Sequence, residues 1–167
     1  MTIGLATHDL YGKKYTNLIQ WCFSIASCLS FEDCLQKVGS VPAKKYLDEL
    51  SENLVFARTA SYFKGYDDCV DAIMSQHYSM VPSFYLFACN AKTEQFVLQD
   101  SRTLFSWMNE PLQNLCFYRS DKTILLRTVS HEGICALNCH GYEYKTLPNR
   151  DNWTVSDADY FDDSWFF

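Results

Sequence analysis

Two short turns constrain this chain more than anything else in it. Ser120-Asp121-Lys122 separates the run Leu115–Arg119 from Thr123–Val129, and Ser130-His131-Glu132-Gly133 separates that run from Ile134–Cys139. Both spacers have turn composition, and the flanking runs are rich in apolar, aromatic and β-branched residues. A parallel pairing needs a crossover of a dozen residues or more, so strands joined this tightly are antiparallel neighbours. Ser83–Cys89, bounded by Pro82 and Asn90, reads as an earlier strand. Gln95–Leu98 reads as its hairpin partner across the polar turn 90–94, and Tyr142–Thr146 raises the strand count from five to six. Ser101–Met108 reads as a short helix that ends before Pro111.

The preceding half reads as helical. Apolar residues between Tyr15 and Leu29 fall at 18, 22, 25 and 29 and again at 19, 23 and 26, a stripe wide enough to bury the helix. Ser30-Phe31-Glu32-Asp33 has the form of a helix cap, with Gly39 as the stop. Ser40 and Pro42 open a longer helix whose Leu47, Leu50, Leu54, Phe56 and Ala57 face inward. Asp67 and Asp68 begin another, ahead of Cys69, Val70, Ile73 and Met74. The expected fold is α+β, with N-terminal helices packed on a C-terminal antiparallel β-meander of about five to six strands. At 167 residues it is read as a single domain spanning 1–167. Its helical part covers 13–78, its β-rich part 83–147, and an acidic aromatic segment occupies 149–167.

That last segment carries the sequence's strongest asymmetry. It holds five aspartates against Arg150 alone, so −4 of the formal −6 sits in about a ninth of the chain. Trp153, Tyr160, Phe161, Trp165, Phe166 and Phe167 are interleaved with those acids. Such a segment suits recognition: Asp157, Asp159, Asp162 and Asp163 would steer a basic partner in, and Trp153, Tyr160 and Trp165 would anchor it. Its main expected role is a last element packed on the body, with Ser156–Asp159 capping a short helix and the aspartates in water. The two roles are compatible, since a docked acidic element still presents a face.

Charge and motif content narrow the function classes. With 14 Lys+Arg against 20 Asp+Glu, the chain makes few favourable phosphate contacts, so direct nucleic-acid binding and adhesion to an anionic membrane are not expected. The opening residues show no basic start followed by an apolar core, and Leu18–Leu29, broken by Gln20, Ser24 and Ser27, is too short to span a bilayer. Eight cysteines without an export signal read as reduced thiols in a cytoplasmic protein, which makes the sequon Asn152-Trp153-Thr154 a chance match. Nucleotide-binding glycine motifs, H-E-x-x-H and G-x-S-x-G are absent, and no cofactor is expected. His131, Cys135, Cys139 and His140 have helical metal-ligand spacing, but on a strand the two cysteines lie about 13 Å apart, beyond the reach of one zinc. Arg58, Lys64, Arg119, Lys122 and Arg127 are scattered, as on a solvated face. The leading expectation is a small acidic binding or inhibitor protein of immunity or antitoxin type, neutralising a basic protein partner such as a nuclease toxin. The alternative is a small thiol-dependent enzyme pairing Cys89 or Cys135 with His131 or His140.

Overall fold

Two described segments of the expected helical half, Cys28–Asp33 and Leu54–Thr59, are strand. The computed structural model describes residues 2–33, 48–59, 83–109 and 112–156. Within them run eight strands: β1 (Thr2–Thr7), β2 (Cys28–Asp33), β3 (Leu54–Thr59), β4 (Ser83–Ala88), β5 (Gln113–Tyr118), β6 (Ile124–Val129), β7 (Ile134–His140) and β8 (Trp153–Val155). Besides a helical stretch at 48–50, the same residues hold α1 (Lys13–Ile25), α2 (Ala91–Asp100) and α3 (Gly141–Thr146). All eight strands join one sheet in the order β3-β4-β2-β5-β6-β7-β1-β8, with every neighbouring pair antiparallel.

One row of apolar residues crosses the whole sheet. The register places Leu54 opposite Phe87, Phe87 opposite Leu29, and Leu29 opposite Phe117. It continues through Leu126, Leu137 and Leu5 to Val155, so every strand contributes one member. The six inner members are at most 1% exposed, while Leu54 and Val155 at the two ends are 39% and 73% exposed. Over this row lie Leu18, Ile19 and Cys22 of α1 and Phe96 and Val97 of α2, all in the same core. Phe23 meets Phe117 edge-on at 5.2 Å, and Tyr15 Oη donates to the Val97 carbonyl at 3.2 Å, tying α1 to α2. Phe31 packs at 4.8 Å from Trp107, which is fully buried, and both face Phe96.

N-terminal helices on a five- to six-stranded meander are therefore not what the chain builds. The sheet dominates, β1 precedes the first helix, and β1 and β2 insert between strands distant in sequence. At 28–33 the cap-like Ser30-Phe31-Glu32-Asp33 is strand. Leu29 and Phe31 enter the main core, while Ser30 and Glu32 fall on the other face with polar partners, Tyr118 Oη at 3.1 Å and Asn114 Nδ2 at 3.0 Å. Residues 48–50 are helical and Leu50 is buried, as expected, but the chain then leaves the helix and becomes β3 at Leu54. Gln95–Leu98 is not a hairpin strand but the middle of α2. Asn90 caps that helix, its Oδ1 accepting from the amides of Lys92 and Thr93, while Thr93 Oγ1 accepts from the Asn90 amide. Tyr142–Thr146 is likewise α3 rather than a sixth strand, and within Ser101–Met108 only a 3-10 turn from Ser106 is helical. The helix expected at Asp67–Met74 and the residues 34–47 lie outside the described residues.

The β-rich expectations hold better. β4, β5, β6 and β7 fall on the four runs read as strands, and the two short turns join antiparallel neighbours. In the first, Asp121 Oδ1 accepts from both the amide and the hydroxyl of Thr123, which holds its carboxyl below the usual range. The second closes on Gly133 at φ 65°, a left-handed conformation that suits glycine. β3 carries a bulge between Leu54 and Phe56, and β8 is only three residues long. Among the described residues no helix is long and apolar enough to cross a membrane.

The row makes a direct prediction. Leu137→Ala should cost about 2–5 kcal/mol in chemical denaturation, the range for a fully buried large-to-small change. Val155→Ala, at the exposed end of the same row, should change stability by less than about 0.5 kcal/mol. Equal small losses at both positions would show that the register is wrong.

Candidate functional site

The segment singled out in the sequence is rooted at the β8 end of the sheet. Asn149 turns the chain at φ 54° and its Nδ2 donates to the Lys14 carbonyl at 3.1 Å. A 3-10 turn at Arg150–Asn152 follows, and Thr7 Oγ1 donates to the Asn152 carbonyl at 2.7 Å. β8 then pairs with β1, Thr7 opposite Trp153 and Leu5 opposite Val155, and the Ser156 amide extends the pairing to the Gly4 carbonyl at 3.0 Å. Trp153 is 8% exposed and belongs to the main core. Asp151, Thr154 and Val155 are exposed, and the Arg150 guanidinium lies 6.0 Å from the Tyr144 ring centre. Of the residues proposed for recognition, Trp153 is thus an internal anchor of the segment's root. Asp157, Asp159, Tyr160, Asp162, Asp163 and Trp165 lie outside the described residues.

The thiols are placed for packing. Cys22, Cys135 and Cys139 are at most 1% exposed and share the main core, with Cys89 half-buried against it. Burial pushes the Cys89 and Cys139 thiols up to about 12 and raises those of Cys22 and Cys135 as well. A thiol in such surroundings stays protonated at neutral pH and is a poor nucleophile. Neither candidate base is positioned to change that. His131 is exposed, with Nε2 3.6 Å from Glu132 Oε1, and His140 stacks on Tyr142 with ring centres 5.7 Å apart. On β7, alternation turns Cys139 and His140 to opposite faces of the sheet. Among the described residues no three His, Cys, Asp or Glu side chains gather as a metal site would require.

A polar cluster that the sequence did not reveal lies where β5, β7 and α3 meet. Arg119, read from sequence as part of a solvated face, is 7% exposed and pairs with Glu143, which is 1% exposed. Nε donates to Glu143 Oε1 at 2.8 Å and Nη2 to Oε2 at 2.6 Å. Nη1 reaches Thr123 Oγ1 at 3.2 Å and the Ile124 carbonyl at 3.0 Å, and Nη2 also donates to the Asn138 carbonyl. All five guanidinium donors are therefore used. Glu143 Oε2 also accepts the His140 amide at 2.6 Å, which opens α3. Burial works to raise the Glu143 pKa, but the hydrogen bonds from Arg119 and His140 outweigh it and hold the carboxyl below its ordinary value. Groups so fully engaged bind one another, and neither is left to take up an anion or move a proton. The two residues are 24 positions apart with no local motif between them, so no signal in the sequence links them.

A second buried group joins Glu32, Asn114 and Ser130. Asn114 sits at φ 54°, beside a register shift in the β2–β5 pairing, and its side chain bridges outward from there. Nδ2 donates to Glu32 Oε2 and Oδ1 accepts the Ser130 amide at 2.9 Å. Protein-family models, curated proteins and solved structures were all compared with the chain, and none matches it.

Two outcomes are expected. Arg119→Ala should destabilise the protein by about 3–5 kcal/mol, because it leaves a buried carboxylate uncompensated. Breaking the exposed Lys92–Glu52 pair, at 3.4 Å, should cost no more than about 1 kcal/mol. A depressed carboxyl pKa stabilises the fold above the unfolded value and loses that contribution as pH falls through the folded one. Unfolding midpoints should therefore drop as pH is lowered below the ordinary Glu value of 4.5, more steeply in the native chain than in Glu143→Gln. Identical pH profiles would remove Glu143 from the acid response.

Proposed function

We propose that this chain is a small acidic binding protein that neutralises a basic protein partner, an inhibitor of immunity or antitoxin type such as would block a nuclease toxin. One observation carries the reading: most of the net charge, mixed with large aromatics, follows directly from a strand fixed at the end of the sheet. A rigid root limits the entropy lost when the segment meets a partner, and concentrated like charge speeds encounter with a surface of opposite sign. Asp157, Asp159, Asp162 and Asp163 supply the steering charge, Tyr160 and Trp165 the contact area, and Trp153 holds the segment to the body. Basic grooves that act on nucleic acid are natural targets for such a segment. Cys22, Cys135 and Cys139 pack in the main core as small hydrophobes, which fits a reducing compartment such as the cytoplasm.

The test replaces the four aspartates with Asn in the full chain. Native and variant proteins are used to capture ligands from lysate at low and moderate salt, and association rates are measured with the protein retained. The proposal expects one basic protein whose on-rate falls about 10-fold or more in the variant, together with the salt dependence. Unchanged on-rates, or no basic protein held by a well-folded chain, would overturn it. Cysteine labelling distinguishes the enzyme alternative. Alkylation mapped by peptide should leave Cys22, Cys89, Cys135 and Cys139 slow at neutral pH until the fold opens. Rapid labelling of any one of them would restore the thiol enzyme.

A further inference from the structure

We draw no further inference here: the strongest candidate, the surface patch at α3 where exposed Tyr142 stacks on His140 and Arg150 lies over the Tyr144 ring, carries nothing because nothing in the structure shows what covers it.

Discussion

The apolar row from Leu54 to Val155 is the constraint on which the other elements depend. A strand's side-chain period of two means that slipping any one strand by a single residue would turn its whole apolar set away from α1 and α2. A slip of β2 against β5 would separate Leu29 from Phe117 and Ser30 from Tyr118 together. The two faces therefore fix the register jointly, one by apolar contact and the other by polar pairing. Most of these neighbours are far apart in sequence. β1 finds β7 and β8 only across nearly the whole chain, so the row is assembled from contacts that require large loops to close first.

Burying Arg119 and Glu143 near that row is expensive, and the geometry shows how the cost is offset. Taking two ions out of water is repaid only when their remaining hydrogen-bonding positions are filled. Here the β5–β6 turn, β7 and α3 each supply a partner: Thr123 and Ile124, Asn138, and the His140 amide that opens the helix. The pair is a junction between elements. It gives α3 a fixed start, although that helix is only six residues long and would have little stability in isolation.

What could be read from the sequence follows the range over which each element is determined. α1 was legible because most of its stripe lies within one helix, although Leu29, read as its last member, belongs to β2. β5 to β7 were legible because two short turns dictate their pairing, and β4 as an aromatic run bounded by Pro82 and Asn90, although its partners are β2 and β3. β2 was misread because a capping pattern and a polar-apolar alternation coincide in Ser30-Phe31-Glu32-Asp33, and only tertiary partners for Ser30 and Glu32 separate them. α2 was misread because Gln95-Phe96-Val97-Leu98 is a short apolar run with no period of its own, although Asn90 and Thr93 held the capping signal. α3 was misread because Tyr142 and Tyr144 alternate like strand residues, while its helical start depends on a carboxylate held by Arg119 from another element. The acidic segment was legible as a charge asymmetry, but only its root, through Trp153 and the β1 pairing, falls among the described residues.

The two ends of the sheet have a consequence for how the protein fails. An open edge offers its unpaired backbone to other chains, and a bulge or a very short strand makes a poor template. The Leu54–Phe56 bulge blunts β3, and three-residue β8 blunts the other end. Behind β8, however, lies β1, six residues paired to β7 in unbroken register. Fraying of β8 alone would expose the backbone of β1, replacing a three-residue edge with a six-residue edge of regular register. Such an opening at Trp153–Val155 would also lift Trp153 out of the main core, so the edge and the core are tied through one side chain.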